Sequence, residues 1–580
     1  MSNLHRIAAA AALCGLLGAA APPPGPVSGD AAVASIAKAY FAEAFRAAPV
    51  YATATGVHGY DASLGDNSAA AFAAAIARDH RTIDLLSAID QASLSGRGAL
   101  DRAMLENTLR ADLVQNETME RWKHKPDDYL QTASGGVFVL ISRNFAPARV
   151  RLASVIAREE AIPKLFAQAR ANIVGTDRDT AQIAVDDAMG TVAFFQKTVP
   201  QAFAGVGDAA TRARFRASTK LAADATRAYA AYVKRWVAHP VGTYAIGAEN
   251  YALRLRYEEA ITMPLAEYLA VGEKALAKTR AEMVATAKRI DPKASVEQVL
   301  AKINHIHPTA ANLIPASQAD LVKLRAFIMR KHIIDLPSDA DISVTLTPEF
   351  LRQTTVASMD APGPLERVAK AAYYNVTPVD PRDTKKAQEA YLEVFNDFER
   401  PIVSAHEVYP GHYTNFIIDK HLPLTLIEKL TGATSFIEGW AHYDEQMMVD
   451  EGWGGGDPRV RIMQLKEAIL RNARFVVGVK MHTQGMTVKQ AQAVFRDAFF
   501  DEADARIEAR RGTQDATYGY YTLGKMEILK LREDYKKKLG SAFTLARFHK
   551  DLLQYGDPAI PLLRPLLLGA DDDGKILPEG

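Results

Sequence analysis

Ser404-Ala405-His406-Glu407-Val408-Tyr409-Pro410-Gly411-His412 sets the terms on which this chain folds. Apolar residues at helical spacing lead into it from Lys385, so it arrives as a helix. A straight helix cannot run through it. Pro410 has no amide hydrogen for the carbonyl of His406, and its ring would clash with that carbonyl. Six regular helical steps from His406 to His412 would also rotate the side chains by roughly 240°, pointing the two rings apart. The backbone must therefore break or bulge at Tyr409-Pro410-Gly411, where Gly411 is free to take unusual dihedrals. His412 can then swing back toward His406.

Working outward, helical periodicity continues to about Leu553. Upstream, between about Ile333 and Pro381, the pattern changes. Ile342-Ser343-Val344-Thr345-Leu346-Thr347 alternates apolar and polar residues and is rich in β-branched types. Ala372-Tyr373-Tyr374-Asn375-Val376 is a second short stretch of this kind, and together they predict two or three strands of a small sheet. From Asp30 to about Ile290 the chain reads as helix after helix, with apolar stripes in Ala31 to Ala48 and Leu221 to Val237. Ser63-Leu64-Gly65-Asp66, Gly135-Gly136 and His239-Pro240-Val241-Gly242 read as turns between them. The expectation is a mainly α protein with a small sheet just before its chemical motif. Residues 30–332 form a helical region, and residues 333–580 carry the sheet and the motif. These are either two lobes or one continuous domain.

The first residues predict a leader. Met1 to Arg6 is short and positively charged, Ile7 to Ala21 is apolar, and Pro22-Pro23-Pro24-Gly25-Pro26 breaks any helix. That is the layout of a secretory signal over residues 1–29, cut between about 21 and 29, and it implies a periplasmic or secreted protein. Cys14 is the only cysteine. It follows Leu13, where a lipidation signal needs a small residue. A mature chain without cysteine excludes disulfides, thiolate metal sites and a cysteine nucleophile. With 69 Lys+Arg against 68 Asp+Glu in 580 residues, no global field draws the chain to nucleic acid or to an anionic membrane. No second apolar stretch is long enough to span a bilayer, so no stable membrane association is expected once the signal is removed.

The chemistry concentrates at His406-Glu407 and His412. A catalytic zinc site needs neutral imidazoles as ligands with a position left for water. It also needs a carboxylate beside that water to take its proton. His406 and His412 fit the first role and Glu407 the second. The usual spacing of such histidines is four residues, not six, which is why the break at Pro410-Gly411 is required. A third ligand should come from a neighbouring helix, and Glu438 in Ser435-Phe436-Ile437-Glu438-Gly439-Trp440-Ala441-His442-Tyr443-Asp444-Glu445 is the candidate. His442 is its rival. Glu438, His442 and Glu445 share one helical face, so the same helix offers a carboxylate to orient a histidine. The plain alternative is a pair of polar histidines at a helix end with Glu407 as a cap. His305-Ile306-His307-Pro308 has no acidic companion nearby and reads as a solvated loop.

Attack on a carbonyl creates an oxyanion that needs a donor. Tyr518, Tyr520 and Tyr521 cluster just before a helical run, and any of them is equally a packing anchor. Arg511 could pair with a substrate carboxylate or close a helix-end salt bridge. His482 is a proton donor, a substrate contact or a structural residue.

These stretches together resemble the domain-of-unknown-function 885 family, a bacterial group placed among zincin-type metallopeptidases. Ala54-Thr55-Gly56-Val57-His58 resembles its N-terminal motif, and Tyr373-Tyr374-Asn375 precedes the metal motif as in that family. His406-Glu407 with Pro410-Gly411-His412, and Glu438-Gly439-Trp440-Ala441 with Tyr443, look like its strongest signatures. His482-Thr483 with Gly485-Met486-Thr487, Tyr521 with Gly524, and Phe548-His549 continue the likeness. The resemblance implies a helical zincin-like fold of the oligopeptidase and carboxypeptidase type, its small sheet beside a deep cleft. It implies zinc on His406, His412 and Glu438, and Glu407 as general base. It makes Tyr521 the better oxyanion donor, with Tyr518 second. Tyr374, Arg511 and His482 are the candidate substrate contacts. The expected activity is peptidase action on a small peptide. Hydrolysis of a non-peptide amide or ester is the first alternative, and a catalytically silent exported binding protein is the second.

Overall fold

The computed structural model describes residues 28–578 except 340–341, 348–351 and 353–355. The expected leader, Cys14 included, lies outside the described residues up to residue 27. The first helix, Gly29–Ala47, opens at Ser28, whose hydroxyl accepts from the amide of Ala31 and so satisfies a donor the helix cannot. Helices dominate from there, as the apolar spacing predicts. The predicted Leu221–Val237 segment lies inside one long helix, Ala209–Ala238. Gly135-Gly136 is a correction: the Pro126–Ile141 helix passes straight through it. Gly136 packs where a Cβ would lie 2.8 Å from Leu64, so close packing, not a turn, accounts for the glycine.

The sheet has three strands: β1 (Ser343–Leu346), β2 (Ala357–Asp360) and β3 (Tyr373–Val376). Their order is β1-β3-β2, with β1 parallel and β2 antiparallel to β3. β1 and β3 fall on the two predicted stretches. β2 has no alternating β-branched run, and its sequence gave no strand signal.

One hydrophobic core takes in Val33, Leu105 and Leu109 from the N-terminal helices, Tyr374 of β3, Trp440 and Leu531. The two regions read from the sequence therefore share a core across the 332/333 boundary. A second core, from Leu64 to Val233, is built from buried residues of the N-terminal region, with Ala369 packed against it. The Thr434–Asp450 helix is set against the Tyr520–Leu539 helix by paired glycines. A Cβ on Gly439 would lie 2.5 Å from Cα of Gly524, and one on Gly524 would lie 1.7 Å from the carbonyl oxygen of Ser435. Neither position admits a side chain without separating the two helices. Among the described residues no helix is long and apolar enough to cross a membrane.

Candidate metal centre

The predicted break is present. One helix ends as Arg400–Glu407 and the next begins as His412–His421. Between them the Tyr409–Pro410 peptide is cis. Gly411 has φ −67° and ψ −136°, so a left-handed conformation is not what it supplies. Close approach is. Its amide donates to the carbonyl of Ala405 at 2.9 Å, and a Cβ there would sit 1.8 Å from the carbonyl oxygen of His406. The indole N–H of buried Trp440 donates to the carbonyl of Pro410 at 3.0 Å and pins the turn to the Thr434–Asp450 helix. The hydroxyl of Thr414 donates to the carbonyl of Val408 at 2.9 Å.

The turn brings the two rings together. His406 and His412 have centroids 4.8 Å apart at an interplanar angle of 86°. Nε2 of His406 lies 3.5 Å from Oε2 of Glu438, and Nε2 of His412 lies 3.4 Å from the same oxygen. One ligand atom from each of the three residues lies within 4.8 Å of the others. These separations are long for hydrogen bonds, and Oε2 of Glu438 is buried without a hydrogen-bond partner among the described residues. They fit tetrahedral ligation: bonds of about 2.1 Å to zinc place neighbouring ligand atoms about 3.4 Å apart. The donor set and the orphaned oxygen therefore fit a zinc ion. His406 also lies in the last turn of its helix, where the dipole favours a cation.

Glu445 orients the cluster. Nδ1 of His406 donates to its Oε1 at 2.7 Å, which leaves Nε2 as the free lone pair. The other oxygen meets Nδ1 of His442 at 3.1 Å, and Arg471 approaches Oε1 at 3.2 Å. Burial would raise the Glu445 carboxyl, but Arg471, His442 and His406 hold it well below the usual carboxylate range. Burial likewise opposes charge on His406, yet Glu438 and Glu445 outweigh it and lift this imidazole to about 10. Against the same burial, His412 and His406 hold Glu438 well below its ordinary value. His442 goes the other way: burial, with Lys525 nearby, lowers it to about 3. It stands behind Glu445 and outside the ligand cluster.

Glu407 is held from the sheet. Its Oε2 accepts the amide of Met359 in β2 at 3.0 Å, and burial raises its carboxyl. Tyr521, at the start of the Tyr520–Leu539 helix, is half-buried, and its ring lies nearly parallel to that of His406 with centroids 6.3 Å apart. Burial and then Glu438 push its hydroxyl up to about 12, so it stays a neutral donor. Exposed Arg511 acts on Tyr521 through its charge.

Three expected residues stand elsewhere. Tyr374 is fully buried at the centre of the sheet, its hydroxyl 3.3 Å from that of Ser404, so it supports the His406 helix from beneath and does not face the cleft. Tyr518 is core, 1% exposed, where a Cβ on Gly512 would come within 2.8 Å of its hydroxyl. His482 is buried with Nε2 donating to the carbonyl of Gly512 at 2.7 Å, and it lines a separate cavity with Lys125 and Arg254. The His305–His307 loop does have acidic companions. Glu393 lies 2.8 Å from His305 and Glu389 lies 3.1 Å from His307, both supplied by the Lys385–Glu393 helix. Met359, Arg471 and Trp440 are the contributors that the sequence reading missed, and only Trp440 stood in a recognised motif.

The fold and the site define a class: a mainly helical protein whose helices converge two histidines and a glutamate beside a small sheet. The chain belongs to the family described as bacterial protein of unknown function (DUF885), whose profile matches residues 49–567. Two solved structures are similar. One is a candidate lipoprotein of unknown function from Shewanella oneidensis, 27% identical, with a TM-score of 0.78, covering 92% of this chain and 99% of that one. The other, a candidate lipoprotein from Colwellia psychrerythraea, is 15% identical, with a TM-score of 0.78 over 94% of this chain and 100% of its own. None of the curated proteins matches the sequence.

Proposed function

We propose that this protein is a zinc-dependent hydrolase of zincin-like type that cleaves short peptides, as a carboxypeptidase or an oligopeptidase. The observation that carries the reading is the convergence of His406 Nε2, His412 Nε2 and Glu438 Oε2 at ligand spacing. When bound, zinc supplies a Lewis acid that polarises a carbonyl and makes water acidic. The chain supplies the rest. Glu407, raised by burial and steadied by the Met359 amide, takes the proton from water and returns it to the leaving amine. Tyr521, neutral and beside His406, donates to the oxyanion, and Arg511 holds a substrate carboxylate. Glu445 fixes the tautomer of His406 throughout.

The reading includes export. The charged start and apolar run of the leader support it, and so do the lipoprotein descriptions of the two similar structures. Leu13 before Cys14 argues for a cleaved signal over a lipid anchor here.

Elemental analysis of the purified protein, followed by a peptide digest with and without chelator, tests the assignment. About one zinc per chain and chelator-sensitive cleavage are expected. Protein that stays metal-free after zinc dialysis, or chelator-resistant cleavage, overturns it. A digest that releases nothing from peptides but cleaves small amides or esters moves the substrate and keeps the centre.

A further inference from the structure

A cavity of about 510 Å³ opens from the histidine–glutamate cluster, with His412 and Glu438 in its wall. That size falls within the ~300–1,000 Å³ usual for small-molecule sites. Met359, Phe416 and Ile437 give it apolar sides, and four carboxylates line it as well.

Two of the four are already engaged. Glu428 accepts from Nε of Arg97 and from the amide of Thr425, both at 2.8 Å. Glu366 meets Nε2 of His58 and the amide of Val368, both at 2.7 Å. The other two, Asp419 and Asp557, have capacity left. Asp419 is half-buried in the cavity wall, and its Oδ1, shielded from bulk solvent, has no hydrogen-bond partner among the described residues. Among the described residues the carboxylate of Asp557 accepts one bond, from Nδ2 of Asn415 at 2.7 Å. Neither is in an ion pair among the described residues. Half-buried Lys429 and exposed Lys420 line the same cavity outside bonding distance, and Lys429 offsets only part of the charge.

A buried carboxyl that lacks a partner is costly, and two that sense each other cost more. Burial, and then Asp557, push Asp419 well above the ordinary carboxylate range. Burial pushes Asp557 to about 6, with Asn415 and His412 acting against it. The pair therefore offers unfilled acceptors to a ligand cation beside the histidine–glutamate cluster.

We propose that Asp419 and Asp557 form a subsite for a cationic group on an apolar stem, so that the preferred substrates carry a basic side chain or an amine next to the bond that is cut. This rests on the hydrolase reading above. The methylenes of such a group lie along Met359, Phe416 and Ile437, and its N–H groups fill the open acceptors of the two carboxylates.

The test is a calorimetric titration of the full-length protein, zinc-loaded and chelated, with agmatine and with the uncharged analogue N-butylurea. Agmatine is expected to bind at least tenfold more tightly than N-butylurea, in both metal states. Asp419→Asn and Asp557→Asn are each expected to weaken agmatine binding tenfold or more while zinc content stays the same. In peptide assays the same variants should raise KM for basic substrates and leave kcat unchanged. Equal affinity for the two probes, no agmatine binding, or unchanged binding in both variants would overturn the subsite. If the variants do not fold, the comparison of probes on the unmodified protein decides alone. Binding that persists in a protein without zinc or hydrolysis would keep the subsite and remove the hydrolase reading.

Discussion

The Pro458–Thr483 helix serves two histidine environments of opposite character. Through Arg471 it reaches Glu445, behind His406. At its end it carries His482, which faces a separate cavity of about 330 Å³ beside Lys125 and Arg254. At 1.5 Å per residue the two positions are about 16 Å apart along the axis. Both imidazoles are buried, and each gives one ring N–H to a fixed acceptor. At His406 that acceptor is a carboxylate and a second one faces the other nitrogen, so the ring rises to about 10. At His482 burial dominates, the acceptor is a neutral carbonyl, and Lys125 and Arg254 act on the ring, which falls to about 4. Burial alone does not assign a histidine its use. The charge of its neighbours does, and only the first setting calls for a cation.

Removing the carboxylate proposed as the base gives the largest expected effect. Glu407→Gln should lower kcat by about 10²–10⁴ while zinc content is unchanged. Full activity in that variant, measured on the peptide found by digest, would break the assignment of the base. Next is the carboxylate that distinguishes the two histidines. Glu445→Gln keeps the shape but weakens the charge behind His406, and zinc affinity should fall by about 10–100-fold in a competitive chelator titration. His482→Gln in the same titration should leave affinity unaltered. If His482→Gln weakens zinc as much as Glu445→Gln, the two environments are not distinct.

Legibility in the sequence followed the range of the physics. Pro410 and Gly411 act on their own turn, so the break between two helices and the return of His412 could be read from local sterics alone. Glu438 and Glu445 lie on one helical face, so their joint position followed from periodicity. What lay out of reach was long-range. β2 reads as Ala357-Ser358-Met359-Asp360, with nothing to mark a strand, and its amide contact with Glu407 exists only because β2 pairs with β3. Tyr374 read as a site residue by its motif and Tyr518 by its chemistry, but packing buries both. Nothing local separates those tyrosines from Tyr521. Asp557 and Asp419 join one cavity across more than a hundred residues, a pairing no spacing rule reports.

The smaller effects sharpen the same contrast. His482 ionises near 6.5 when unfolded and near 4 when folded, so the unfolded chain binds the extra proton first. Its contribution to stability is present above pH 6.5 and is lost as pH falls toward 4. Between pH 7 and pH 5 the loss is on the order of 2 kcal/mol. His482→Gln should flatten that part of the stability profile in denaturant titrations, and an unchanged slope would mean that the ring is not held neutral. Smaller still is the effect at His305, whose side chain is 68% exposed and pairs with Glu393. An exposed pair in water gains little over the entropy lost in fixing it, so His305→Ala should change stability by less than about 1 kcal/mol. It should change zinc content not at all. His305 shares with His406 a nearby carboxylate at hydrogen-bonding distance. It lacks the burial that makes the carboxylate count, and a large effect at His305 would show that neighbouring charge acts without enclosure.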